Sequence, residues 1–513
     1  MRTPILLAAV ALVAAACGGS ATSSAGRADV PPDHHGWTPE PRQGAPSEAP
    51  AAGTPYDGVT FDDPGVNPFV PTERDRESTF ALDVDTASYA IARRFVDDGN
   101  MPDPASVRVE EFVNSFEHDY PAPSDGTFAL YADGGPTPFM DRDEVLLRLG
   151  VKAREIPDRS RQEAALTFVI DTSGSMARED RLELVKRSLT YLVGQLDRTD
   201  TVAIVTYGSD ARVVLEPTAV RDADAIIRAI AALHTGGSTN AEAGLSLGYR
   251  LAADTFREEA INRVILASDG VANTGATDPE AILRRISWDA SLGIQLVTVG
   301  FGMGNYNDTL MEQLADTGDG FYAYVNTMDD ARTLFGEQLT STLQTVALDA
   351  RAQVEFDPAV VESYRLVGYE NRDIPDQDFR DDTVDAGAIG AGHAVTALYA
   401  LRLAAEGGEG GDGGRIGTLR IRWTDPDTRH ADEIALDIHV ADLARTFRAT
   451  DGSFRLDALV AAAAEVFRHS RWADRYTIGD VADAAYESEG DLPRGEQTDE
   501  FLRFLDAAAR IER

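Results

Sequence analysis

Between about residues 164 and 348, apolar runs of strand length alternate with stretches whose apolar residues recur every three or four positions. Leu166-Thr167-Phe168-Val169-Ile170 is a continuous apolar run, the pattern of a central strand covered on both faces. Leu182, Val185, Leu189, Leu192, Val193 and Leu196 follow at helical spacing. The alternation then predicts strands at 200–207, 263–267, 294–300 and 320–325, a short edge strand at 212–215, and helices at 223–233 and through Leu245 to Leu251. Strand, helix and strand in this order make an α/β domain with a doubly wound, mostly parallel sheet.

The flanks read differently. Before this block, 79–85 reads as a strand, Thr86-Ala87-Ser88 opens a helix running to Phe95, another helix follows over 106–116, and 128–131 and 144–151 read as short strands. After it, 351–356, 363–368, 394–403, 417–423 and 433–440 read as strands, the last alternating Ile434, Leu436, Ile438 and Val440. Strands on both sides of the α/β block predict one antiparallel β-sandwich built from the two flanks, with the α/β domain inserted. Helices at 454–469, 478–486 and 499–511 close the chain as a small helical cap. The Gly- and acid-rich stretch 406–414 is expected to be a disordered hairpin connection.

At the start, Met1 and Arg2 precede an apolar run from Ile5 to Ala16, the length of a signal-peptide core and too short to span a bilayer. Val13-Ala14-Ala15-Ala16-Cys17-Gly18 resembles a bacterial lipobox, with Ala14 where leucine is commoner, so Cys17 is the expected lipidation site. The Pro-, Gly-, Ala- and Ser-rich segment that follows lacks periodicity and reads as a disordered tether standing the folded domains off a membrane. The expected divisions are therefore a signal peptide at 1–17, a tether at 18–77, an N-terminal region at 78–160, the α/β domain at 161–348, a β-rich domain at 349–450 and helices at 451–513. No other apolar run reaches the length of a membrane span, so lipid is the only expected anchor, on the periplasmic or outward face of a bacterial envelope.

Composition narrows the chemistry. A chain of 513 residues exceeds what one core supports, so more than one domain is required. Acidic residues number 86 against 47 basic ones, for a net charge of -39, which repels a phosphate backbone and excludes nucleic acid as a partner. One cysteine excludes an intrachain disulfide, a thiolate zinc site and an iron–sulfur cluster. Asp83-x-Asp85-Thr86 after a strand has the layout of a haloacid-dehalogenase phosphatase, but that chemistry needs a lysine, and neither Lys152 nor Lys186, the two present, is suitably placed. The run Asp373, Asp376, Asp378, Asp381, Asp382 and Asp385 lacks the spacing and closing Glu of an EF-hand and reads as a solvated loop. His393 has no nucleophile motif beside it and reads as a packed or backbone-bonded residue.

The strand at 166–170 ends in Asp171-Thr172-Ser173-Gly174-Ser175-Met176, a loop at the carboxyl end of a sheet strand, where open α/β sheets bind ligands. A carboxylate and two hydroxyls at alternate positions form an oxygen-only set suited to a hard cation such as magnesium, which keeps some positions for water or an outside ligand. Gly236-Gly237-Ser238-Thr239-Asn240 and the strand end Ser268-Asp269 bring a further hydroxyl and carboxylate.

Asp171, Ser173, Ser175, Thr239 and Asp269, in this order, resemble the metal-ion-dependent adhesion site of a von Willebrand factor type A domain. The resemblance implies that Ser173, Ser175 and Thr239 touch the metal while Asp171 and Asp269 act largely through water. It also implies magnesium, with manganese or calcium as substitutes, and a protein partner offering an Asp or Glu carboxylate. Phe80 to Tyr89, Arg108 to Asn114, Val367 to Asn371 and Ile389 to Tyr399 are in turn similar to the YfbK-like bacterial von Willebrand A lipoproteins, which pair the domain with an associated N-terminal region and a C-terminal domain of unknown function. The expectation is a non-enzymatic envelope lipoprotein that binds a partner through a cation. The alternative is a metal-dependent periplasmic phosphoester hydrolase, for which the sequence offers neither a positioned nucleophile nor a second metal set.

Overall fold

The computed structural model describes residues 61–512 apart from 62, 83–84, 271–278, 303–307, 383, 385 and 405–413. Cys17, the signal segment and the Gly-rich connection therefore lie outside the described residues. In the N-terminal region the elements are β1 (Val70–Pro71), β2 (Glu77–Ala81), α1 (Ala87–Asp97), α2 (Val109–Asn114), β3 (Phe128–Gly135) and β4 (Glu144–Ala153). The inserted domain runs β5 (Ala164–Asp171), α3 (Arg181–Gln195), β6 (Thr201–Tyr207), β7 (Ala211–Ala219), α4 (Ala223–Ala231), α5 (Ala241–Asp254), β8 (Ile261–Ser268), α6 (Pro279–Ser291), β9 (Ile294–Phe301), α7 (Asp308–Thr317), β10 (Tyr322–Val325), α8 (Met328–Arg332) and α9 (Leu339–Leu343). The C-terminal part adds β11 (Thr345–Phe356), β12 (Val361–Val367), β13 (Ala388–Gly390), β14 (Ala394–Leu403), β15 (Arg415–Thr424), β16 (Ala431–His439), α10 (Gly452–Phe467), α11 (Ile478–Ser488) and α12 (Glu496–Glu512).

The inserted domain has a six-stranded sheet in the order β10-β9-β8-β5-β6-β7, parallel except for the antiparallel edge strand β7. Every residue of β5 and β8 is buried, as their apolar centres at 166–170 and 264–267 require, and the polar Asn262 and Arg263 are buried with them. One apolar core, with α3 and α8, covers one face, and a second, with α5 and α7, covers the other. Because β6 lies on one side of β5 and β8 on the other, the winding direction reverses at β5, and the crevice at its carboxyl end is where such sheets bind ligands.

The sandwich expected from the flanks is present. One sheet, β1-β12-β14-β4-β3, takes strands from both sides of the inserted domain, and so does the other, in which β11 pairs with β13 and β2 along one edge and β15 along the other, with β16 beyond. Phe80, Leu147, Leu149, Val354, Tyr399, Leu419 and Ile421 come from both sheets and share one core. The two flanks therefore cannot fold separately, since each sheet is incomplete without the other half.

Three sequence expectations change. The tether does not extend to residue 77, because Asn67 Nδ2 donates to Leu366 O at 3.2 Å and to Gly368 O at 2.9 Å, and β1 pairs with β12. The helix expected over 106–116 is a short turn at Pro104–Ser106 followed by the six residues of α2. The closing helices are more than a cap: α10, α11 and α12 join α1, α2 and the outer face of the β4–β14–β12 sheet in one core, and α10 is buried on nearly every side. The acidic run is the expected exposed loop at Asp373, Asp381 and Asp382, with Asp385 outside the described residues, and it is also anchored by buried neighbours. Buried Arg351 donates to Phe379 O at 2.8 Å and Val384 O at 3.0 Å and pairs with Asp382, while Asp376 accepts from Thr79 Oγ1 at 2.6 Å. His393 is half-buried, its N–H donates to Gly390 O at 3.2 Å, and burial pushes the imidazole down to about 4.

Helix α1 links the two halves. Ala87, Ala90, Ile91 and Phe95 face the core of the inserted domain, while Tyr89, Ala92 and Val96 face the helical layer. An N-terminal helix thus serves as one of the inserted domain's own covering helices.

Candidate metal centre

The centre is assembled from the carboxyl ends of β5 and β8 and the loop ahead of α5. Asp171 is the last residue of β5, and its Oδ1 accepts the N–H of Ser173 at 2.7 Å, folding the loop back over the strand end. Ser173 Oγ then lies 2.9 Å from Ser175 Oγ, and Ser175 Oγ donates to Asp269 Oδ1 at 3.0 Å. A continuous chain of oxygens therefore runs from β5 to β8. Asp171, Ser173 and Asp269 are buried, and Ser175 is half-buried at the mouth.

The Thr239 loop is stitched to this array through its backbone. Gly236 N donates to Thr172 O at 2.7 Å and Gly174 N to Gly237 O at 3.2 Å, while Thr172 Oγ1 and N both donate to Tyr207 O at 2.8 Å. Asn240 N–H reaches Gly208 O at 3.0 Å, and the Asn240 side chain caps α5 by accepting from Ala243 N at 3.1 Å. Gly244 lets α5 approach closely, since a Cβ there would lie 2.6 Å from the Tyr207 ring. Thr239 is half-buried and lies two residues beyond Gly237, the residue bonded to Gly174.

Burial pushes the Asp171 carboxyl up to about 6, and the like charge of Asp269 adds to the rise, while the Ser173 and Ser268 donors oppose it. Two neighbours were not anticipated from the sequence. Ser268 Oγ donates to Asp171 Oδ2 at 3.0 Å, and Arg181 Nη1 donates to Asp269 Oδ2 at 2.7 Å with both side chains buried. Ser268 stands directly before Asp269, a local signal. Arg181 gave none, because a basic residue at the start of a helix ordinarily points to solvent.

The donor set fits a hard divalent cation: it is made of oxygens alone and comes from two strand ends, with the loop ahead of α5 stitched beside them. A second acid group, Asp85, Glu111 and Glu312, is close enough to hold an ion, its carboxylate oxygens lying within 4.8 Å of one another. It is already satisfied. Arg372 Nη2 lies 2.8 Å from Asp85 and 3.2 Å from Glu312, and Arg108 lies 3.4 Å from Glu111 and 3.3 Å from Glu312. The backbone N–H groups of Tyr322 and Ser88 fill further acceptor positions on Asp85 and Glu111, each at 2.9 Å. This network fastens the inserted domain to the flanks. It gives Asp85 a structural role in place of the phosphatase one, and Asp83 lies outside the described residues.

Sheet order, strand-end loops and oxygen array define a von Willebrand factor type A domain protein, and the comparisons agree. The von Willebrand factor type A domain family matches residues 165–337, a family described as "von Willebrand factor" matches 56–148, and "Uncharacterized protein YfbK, C-terminal" matches 341–511. Such a domain implies a protein–protein interaction or adhesion-type role. The chain belongs to the YfbK family: it is 35% identical over 470 residues to "Uncharacterized protein YfbK" of Escherichia coli (strain K12), a match covering 87% of this chain and 80% of that one. It is also 28% identical over 177 residues to human inter-alpha-trypsin inhibitor heavy chain H3, covering 32% of this chain and 19% of the relative. Among solved structures, a von Willebrand factor type A protein from Catenulispora acidiphila aligns over 76% of this chain and 91% of its own at 18% identity, with a TM-score of 0.43.

Proposed function

We propose that this protein is a non-enzymatic interaction module that holds a divalent cation, magnesium in the first instance, and uses it to bind an Asp or Glu carboxylate of a protein partner. The hydrogen-bonded run from Ser173 through Ser175 to Asp269 supports this reading, because it gathers hydroxyls and a carboxylate from separate strands into one oxygen set. Ser173, Ser175 and Thr239 would hold the ion, and Asp171 and Asp269 would fix the hydroxyls and balance charge. On a chain of net charge -39, the cation gives an acidic partner a place to dock where direct contact repels. No helix among the described residues is long and apolar enough to cross a membrane. The proposed location is the bacterial envelope, with lipid on Cys17 as the anchor, and Cys17→Ser should move the chain from the membrane pellet to the soluble fraction.

Thermal melts of the full chain with chelator, magnesium, manganese or calcium test the cation. Binding to the folded state alone stabilises it by about 2.7 kcal/mol at a hundredfold excess over Kd. The expected result is a magnesium or manganese shift that the Asp171→Ala, Ser173→Ala double variant loses. Equal melting of both proteins under every ion, with an acidic peptide present or absent, would count against the reading.

A further inference from the structure

We infer that Arg181 couples the two binding events at this centre, making cation and carboxylate depend on each other; the inference rests on the metal-site reading above. The Arg181 guanidinium lies 2.7 Å from Asp269 Oδ2, and the side chains are 3% and 1% exposed, so this is a buried ion pair inside the donor set itself.

Its position is built by separate parts of the chain. Asp180 takes a left-handed conformation, φ 56°, which ends the short turn Gly174–Asp180 and makes Arg181 the first residue of α3. Across the crevice Gly302, just after β9, leaves the room that the guanidinium stem occupies. A Cβ there would lie 2.5 Å from Arg181 Nε and 2.8 Å from its Cδ.

The consequence follows from counting charges where an uncompensated charge is costly. Asp171 and Asp269 as carboxylates contribute two negative charges and Arg181 one positive charge. A divalent cation added to that set leaves one positive charge in excess, and a partner carboxylate cancels it. With a neutral residue at 181, the cation alone would balance the two aspartates, and an incoming carboxylate would leave an excess negative charge. Arg181 therefore places the neutral state at the ternary complex. The cation should be held weakly without an acidic ligand and firmly with one, and by linkage the ligand should need the cation to the same degree. In the cation-free protein the same guanidinium offsets the repulsion between the two aspartates.

Manganese titration of the full chain, with free ion read by paramagnetic resonance, in chloride or in acetate at equal ionic strength, tests this. In the wild type, acetate should tighten manganese binding by about tenfold, within the usual span of such couplings. Arg181→Gln should bind manganese about tenfold more tightly in chloride and show little or no gain from acetate. Arg181→Lys, which keeps the charge, should retain the acetate effect, a readout that a purely structural arginine would not govern. Arg181→Met, which keeps the buried stem, carries the test if the glutamine variant does not fold. A folded Arg181→Gln or Arg181→Met protein with wild-type affinity and wild-type acetate dependence overturns the inference while leaving the metal site standing. Manganese binding absent from the wild type in both anions overturns the metal site and the inference together.

Discussion

At the carboxyl end of the inserted sheet, Asp171 and Asp269 face the hydroxyls of Ser268 and Ser175, the Ser173 N–H and one guanidinium. At the joint with the flanks, Asp85, Glu111 and Glu312 face two guanidiniums, the Asn371 amide and backbone N–H groups. Both are buried carboxylate clusters, and both include arginine. They differ in the kind of donor that meets the acids. At the joint the donors are guanidiniums, an amide and main-chain groups set by the fold, so the acids act as glue between segments far apart in the chain. At the candidate metal centre the donors include the hydroxyls of Ser175, half-buried, and Ser268, groups that also carry lone pairs of their own. Residue type and burial are common to both clusters; hydroxyl donors, which can themselves accept or ligate, distinguish the candidate metal centre from the joint.

The largest effect expected from this contrast is at the joint. Arg372→Ala strips Asp85 and Glu312 of a buried cation and should lower folding stability by about 3–5 kcal/mol, measured by urea unfolding with chelator present. The remaining folded fraction should still gain stability from magnesium, because the metal centre does not use Arg372. Loss of the magnesium gain along with the stability would show that the two clusters form one unit and would break the comparison.

A smaller effect sharpens the metal side. Without a cation, the folded chain holds a proton on Asp171 up to about pH 6, whereas the unfolded chain releases it near 3.8. Between these values the folded state binds more protons, so this group's contribution rises as pH falls through 6, levels off near 3.8 and is lost as pH climbs above 6. The difference between pH 5 and pH 7.5 is about 1.4 kcal/mol and should appear as a gap between wild type and Asp171→Asn in chelator-treated melts at those two values. Added magnesium should reverse the trend, since it favours the carboxylate. A wild-type protein whose pH dependence matches that of Asp171→Asn would show that the acid is not held under strain.

The inserted domain was legible strand by strand, because β5, β8 and β9 are buried on both faces and so are predominantly apolar along their length. The sandwich was legible as a class from the alternation in the last strands and from their position around the insertion. What escaped was whatever pairs outside the periodic pattern. β1 is two residues long, β13 three, and α2 six, too short to carry a period. The packing of Asn67 and Phe69 depends on Leu366, Gly368 and Trp472, roughly 300 to 400 positions away, and leaves no mark on the Pro- and Gly-rich stretch that contains it.

Sequence alone determined the chemistry available at the candidate metal centre: the residue types, their order, and the placement of Asp171 and Asp269 at strand ends, where a parallel sheet directs its loops. Those follow from local rules, namely the two-residue strand repeat, the helical repeat and the capping preferences of Ser, Thr, Asn and Asp. Tertiary structure alone decided charge balance. It turned Arg181 inward onto Asp269, set Ser268 against Asp171, and used Arg108 and Arg372 to convert three acids into a joint. Electrostatic energy depends on distance and burial, and neither is a property of position along the chain.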